Sequence, residues 1–306
     1  MSGFDPTPEE LDVVTDDGVT IHVARWKASR PDAPTVLGIH GLTATRFGMI
    51  AVARALDGEV NFVAHDVRGR GLSDKPDDPA RYGMRRNAED AARVLEHLGL
   101  ADVVVVGQSN GAWVAQQLAA HYPHLVRALV PGDGGYFRAL EPGEDPRDRP
   151  RALKGEQWLE RLRLTFPSRE VVLGAFRGLP AFSDWWNDDV ETLLDAGLVE
   201  VDGGVRSRCV DIAADTDSID YFTGTPHYVH ADLALIKCPV HLVRAEHGFA
   251  LSPETMAPMI SDAEVEEFQQ ALPQLTVENV QGTNHYSVNF APAGAQVIAE
   301  AVRKVV

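Results

Sequence analysis

Two rhythms of apolar and polar positions run along this chain. Through residue 135, short apolar runs alternate with stretches of helical spacing. Val19 to Trp26 alternates apolar and polar residues behind the turn signal Asp16-Asp17-Gly18, which predicts a strand with one buried face. Thr35 to Ile39 and Val60 to Ala64 are compact apolar runs, as in strands covered on both faces, and Val103 to Val106 is four valines in a row. Val126 to Val130 predicts a further strand. Helical spacing occupies Phe47 to Leu56, Arg86 to Leu98 and Ala112 to His121, the first two stopped by Asp57-Gly58 and Gly99. Strands alternating with helices predict an α/β domain with a mostly parallel, twisted sheet.

After Gly135 the rhythm changes. Residues 136–237 are charge-rich and broken by prolines, with helical periodicity, a possible hairpin at Asp202-Gly203-Gly204, and half of the chain's aromatic residues. Sheet logic returns with Val240 to Val243, a helix from about Asp262 to Ala271, a strand around Leu275 to Val280 and a last helix from about Pro292. The expected organisation is a core made of residues 1–135 and 238–306, carrying a cap at 136–237.

Composition narrows the function. The 306 residues carry 45 acidic and 28 basic side chains, a formal charge of −17. Nucleic acid and anionic membranes need a basic footprint, so neither is an expected partner. Cys209 and Cys238 are the only cysteines, too few for a disulfide framework. The first ten residues lack an apolar leader core and no run approaches membrane-spanning length, so the expected location is the cytoplasm. His227 and His230, His121 and His124, and Cys238 and His241 are close in sequence but lack the supporting ligands of a zinc site. No metal or cofactor is expected.

Directly after the four valines comes Gly107-Gln108-Ser109-Asn110-Gly111, followed by a helix. This is Gly-x-Ser-x-Gly in the strand–turn–helix setting that it requires. Residues lacking side-chain bulk on either side of the serine let strand and helix approach, and the sharp turn lifts the hydroxyl to the helix N-terminus, where negative charge is favoured. His40-Gly41-Leu42 follows the strand ending at Ile39, where an oxyanion-hole loop belongs. The expected donors are the backbone N–H groups of Leu42 and Asn110. Asp66 to Asp74 is expected to be a structural turn bracing the sheet, and Glu89 and Asp90 a solvated helix face.

The His-Gly loop, the Asp-x-Arg-Gly-x-Gly-x-Ser turn, the Gly-x-Ser-x-Gly elbow and a late histidine together resemble the α/β-hydrolase family over roughly residues 19–135 and 238–306. The resemblance implies an α/β-hydrolase fold: a mostly parallel twisted sheet flanked by helices, with a mainly helical cap insert. It makes Ser109 the nucleophile and His285, after the last strand, the general base. For the acid two positions stay open. The loop after Val240 to Val243 offers Glu246, and its usual aspartate slot holds Phe249. Some relatives, haloalkane dehalogenases among them, place the acid one strand earlier, where this chain has Asp133 between glycines; Asp133 is put first.

A serine nucleophile implies an acyl-enzyme and not the alkyl-enzyme of the dehalogenases and epoxide hydrolases, whose nucleophile is aspartate. The expected reaction is hydrolysis of a small, largely apolar carboxylic ester or lactone. Hydrolysis of a C–C bond in a diketone, or a catalytically silent ligand-binding role on the same fold, are the alternatives. Expected pocket residues are His40, Gln108, Tyr136, Trp158, Trp185 and Tyr286, in a monomer or homodimer.

Overall fold

Strand parity at the four valines sets up the architecture. Val103 and Val105 face one hydrophobic core, Val104 and Val106 the other, and all four are buried. A strand apolar on both faces has to lie in the middle of a covered sheet. The computed structural model describes residues 4–30, 32–222, 228–252 and 255–306.

The strands are β1 (Glu9–Val14), β2 (Thr20–Trp26), β3 (Thr35–Ile39), β4 (Asn61–His65), β5 (Val103–Gln108) and β6 (Val126–Gly132), with helices α1 (Ile50–Ala55), α2 (Met84–His97) and α3 (Asn110–His121) between them. A long insertion follows: α4 (Asp148–Lys154), α5 (Trp158–Arg161), α6 (Arg169–Arg177), α7 (Pro180–Ser183), α8 (Asp188–Ala196), the hairpin β7 (Leu198–Val201) and β8 (Gly204–Ser207), α9 (Asp211–Asp220) and α10 (Tyr228–Leu233). The chain closes with β9 (Val240–Ala245), α11 (Asp262–Ala271), β10 (Leu275–Val280), α12 (Ser287–Phe290) and α13 (Pro292–Arg303).

Eight strands form one sheet in the order β1-β2-β4-β3-β5-β6-β9-β10. β1 and β2 run antiparallel to their neighbours and the rest pair in parallel. Helices α2, α3 and α11 cover one face, and α1 and α13 the other. Between β6 and β9 the described residues add no strand to this sheet, and the small β7–β8 hairpin turns at the expected Asp202-Gly203.

Two expectations need correction. β1 was not anticipated: its sequence Glu-Glu-Leu-Asp-Val-Val is polar because an edge strand buries one side only, and just Val13 is fully buried. Asp90 is not on a solvated face. It is buried and bidentate to Arg68, at 2.6 Å from both Nε and Nη2, while Glu89 stays at the surface. Arg68 is buried too, so the Asp66 to Asp74 turn is anchored through the core as well as at the sheet edge.

Candidate active site

Every group expected to carry chemistry leaves the sheet at the carboxyl end of a parallel strand, where open α/β sheets bind their ligands. β3 runs into Leu42, β5 into Ser109, β6 into Asp133, and β10 into the loop bearing His285.

The elbow shows why its glycines are there. Ser109 has φ 53° and ψ −122°, a conformation sparsely populated by residues with a side chain. A Cβ on Gly107 would lie 2.3 Å from the Gly111 carbonyl oxygen, and one on Gly111 would lie 2.1 Å from that of Ile39. Real Cβ atoms do not come so close, so strand and helix meet only because both positions lack side chains. Ser109 stands as N-cap of α3, whose first amides have no acceptor within the helix.

Ser109 Oγ lies 2.9 Å from His285 Nε2, and His285 Nδ1 lies 2.7 Å from Asp133 Oδ2. An ionised carboxylate only accepts, so Nδ1–H donates to Asp133 and Nε2 is left to accept the serine proton. Asp133 is fully buried and also takes the Ala245 N–H at 3.1 Å on its other oxygen. The imidazole is fixed through its own backbone: His285 N–H donates to Gly248 O, and Gln108 Nε2 donates to His285 O at 3.1 Å. Glu246 is elsewhere, accepting the Gly282 N–H at 2.7 Å. Phe249, in the slot where the later loop was expected to offer an acid, places its ring 4.5 Å from that of His285.

None of the six expected pocket residues, His40, Gln108, Tyr136, Trp158, Trp185 and Tyr286, lines the cavity at Ser109. Gln108 braces the His285 loop. Tyr286 packs on Phe182 and Phe249 beside the imidazole. His40 is buried behind the loop: Nδ1–H donates to Gly41 O at 2.7 Å and Nε2 accepts the Val67 N–H at 3.0 Å. Burial pushes its pKa down to about 3, so it is a neutral brace and not a pocket wall. Tyr136 stacks on Phe268 and His230, with its hydroxyl 3.1 Å from Glu267, and Trp185 packs on Phe182 and Phe290. Neither lines the cavity at Ser109. Trp158 packs near Leu42 but faces a groove outside that cavity. His227, paired with His230 in the sequence, lies outside the described residues.

The cavity at Ser109 has a volume of about 30 Å³. Leu42 and Asn110 border it, with Trp113, Phe137, Tyr221 and Phe249 as its aromatic wall. Trp113 stacks between Phe137 and Tyr221 at 4.9 and 4.7 Å. Arg149 and Lys154 complete the lining from α4. Pro150 belongs both to this cavity and to the outer groove of about 500 Å³, so it is a shared partition. None of Trp113, Phe137, Arg149 and Lys154 was anticipated. For Trp113 a signal existed, since a residue one helical turn beyond Asn110 returns to the same end of α3; the α4 cations carry no pattern that distinguishes them from surface charge.

The loop carrying Leu42 is tied to the insertion. Arg70 is buried and donates to Leu42 O at 2.8 Å, to Arg68 O at 2.9 Å and to Asp217 Oδ2 at 2.6 Å. Asp217, on α9, also accepts the Gly83 N–H and the Asn87 side chain. A single ion pair therefore joins the insertion, the glycine turn and the loop carrying Leu42.

Comparison with known proteins agrees with this architecture. Residues 34–169 match a family model described as alpha/beta hydrolase fold. The chain is 27% identical over 278 residues to a 2-(acetamidomethylene)succinate hydrolase of Mesorhizobium japonicum, covering 90% of this chain and 88% of that one. A crystal structure of an E-2-(acetamidomethylene)succinate hydrolase superposes with a TM-score of 0.78 at 23% identity, covering 97% of this chain and 98% of that one. A thioesterase domain from the curacin biosynthetic pathway superposes with a TM-score of 0.77 at 19% identity, covering 97% and 99%. Sheet order, family match and structural neighbours together identify the fold of the chain as that of the α/β hydrolases.

Proposed function

We propose that this hydrolase cleaves a carboxylic acyl bond through an acyl-enzyme on Ser109, with His285 as general base and Asp133 as its orienting acid. The observation that carries the reading is the continuous relay from Ser109 Oγ to His285 to Asp133, at 2.9 and 2.7 Å. His285 Nε2 takes the hydroxyl proton as Oγ bonds to the substrate carbonyl carbon. The carbonyl oxygen becomes an oxyanion facing the backbone N–H groups of Leu42 and Asn110. As the tetrahedral adduct collapses, the imidazolium returns the proton to the leaving oxygen or nitrogen. A water, deprotonated in turn by His285, then releases the acid and restores Ser109.

An ester or lactone remains the primary substrate class, because an alkoxide leaves with the least help. A second reading, hydrolysis of an amide-type acyl bond, is favoured by the relative named for 2-(acetamidomethylene)succinate. The diketone and silent-receptor readings have no observation in their favour beyond the shared fold. The test is labelling with a fluorophosphonate, followed by turnover of matched p-nitrophenyl esters and anilides. Wild type should be labelled on Ser109 and Ser109→Ala should not; a folded wild type that escapes labelling and hydrolyses neither set would refute the proposal.

A further inference from the structure

This inference rests on the acyl-hydrolase reading and concerns what kind of acyl compound Ser109 receives. In a chain with 45 acidic and 28 basic residues, carboxylates should predominate at any unspecialised surface. The cavity at Ser109 reverses that. Among the described residues its charged lining consists of Arg149 and Lys154, and no aspartate or glutamate borders it.

The two cations differ in how far they are already satisfied. The Arg149 guanidinium gives hydrogen bonds to Arg138 O at 2.8 Å and Ala139 O at 3.4 Å, lies 3.7 Å from Glu144, and covers the Phe222 ring at 5.0 Å. Lys154, at the last turn of α4, has its ammonium 4.4 Å from the centre of the Trp158 ring. Among the described residues it has no carboxylate or carbonyl partner. Burial without compensation pushes its pKa down to about 7, with the thiol of Cys209 opposing that shift and Arg70 adding to it. Lys154 is half-buried, and an ammonium partly withdrawn from water without a counter-ion is costly unless something negative arrives to complete it.

We infer that Arg149 and Lys154 form a carboxylate-binding subsite beside Ser109, and that the substrate is an acyl compound carrying its own carboxylate group. Lys154 supplies the unpaired charge and Arg149 a second donor held in place by the backbone of residues 138 and 139. The aromatic wall then excludes water from the pair and strengthens its attraction for the anion. Such a site selects against neutral analogues, which would leave the ammonium desolvated and alone.

The experiment compares esters that differ only in charge. Mono-p-nitrophenyl succinate and its methyl-capped diester place the charge on the acyl side; 4-acetoxybenzoate and its methyl ester place it on the leaving group. Wild type should favour the anionic member of at least one pair by tenfold or more in kcat/KM. Lys154→Met should lower that anionic-to-neutral ratio about tenfold and Lys154→Arg should retain most of it, with Arg149→Gln intermediate. The ratio cancels any loss common to both substrates, so a merely structural role for Lys154 would not move it. A wild-type ratio near one in both pairs overturns the proposal without recourse to any variant, as does an unchanged ratio in folded Lys154→Met. If none of the four esters turns over and Ser109 resists fluorophosphonate, the acyl-hydrolase reading has failed on its own. Calorimetry then decides the subsite: succinate should bind wild type and not Lys154→Met, and absence of succinate binding to wild type rejects it.

Discussion

At Ser109 and again at Asp133 the backbone adopts positive φ, 53° and 45°, at residues that carry side chains. Each such position costs on the order of 1 kcal/mol or more and persists because its surroundings over-determine it. What they hold here is the alignment of three side chains drawn from distant parts of the chain. Asp133→Asn removes the acceptor that fixes the imidazole tautomer and should lower kcat on the order of 10³–10⁴-fold. Glu246→Gln, acting on a carboxylate bonded to Gly282 N–H, should stay within about threefold, since a group outside the reacting unit has little transition-state energy to lose. Equal losses in the two variants, in parallel kinetics on one ester, would reopen the choice of acid. That Ser109 and His285 come together was legible in the sequence because their signals are local: a strand signal, a glycine-bracketed serine, a histidine past the last strand. The choice between Asp133 and Glu246 is not local. It depends on which of two neighbouring strand ends the imidazole turns towards, and only the fold brings Asp133 Oδ2 to 2.7 Å.

Among elements, the glycine pair around the elbow and the Arg70–Asp217 bond set the tolerances. Gly111→Ala pushes a methyl group into the Ile39 carbonyl and should destabilise by roughly 2–3 kcal/mol, the usual cost of overpacking, with loss of Ser109 labelling. Asp217→Asn leaves the buried Arg70 guanidinium without its counter-charge and should cost about 3 kcal/mol in urea denaturation. Activity should fall with it, because Arg70 also holds the carbonyl of Leu42. The core elements were readable because period-two and helical patterns record burial directly, as with the alternating valines of β5. β1 escaped since an edge strand with one buried side looks like loop sequence, and Asp90 escaped since helical spacing says nothing of a guanidinium arriving from another turn. The same limit hid Arg149 and Lys154: their sequence neighbours are charged, and only the placement of α4 beside the cavity at Ser109 singles them out.

For the molecule as a whole, acid is the condition to which the core is most exposed. His40 and His65 are both buried, both have pKa values pushed by burial down to about 3, and neither ring nitrogen of His65 has a hydrogen-bond partner among the described residues. Unfolded, each takes up a proton near its ordinary value of 6.5. Between 3 and 6.5 the unfolded chain therefore binds protons that the folded one refuses, so stability rises with pH across that window and is lost on acidification. Each histidine should withdraw about 1 kcal/mol between pH 7.5 and 5.5. His65→Leu should flatten the decline of the urea midpoint, and an unaltered slope would show that the His65 ring is protonated in the folded state.

Pro150 stands between the chamber around Ser109 and the outer groove, and the room in the chamber is that of about two waters. A larger ester should therefore need residues 148–154 to shift, which puts admission before bond making. Where that shift is slower than bond making, encounter governs capture among esters of one acid. Phenyl and p-nitrophenyl esters of one acid should converge in kcat/KM, and widening the entrance with Pro150→Ala should speed both alike.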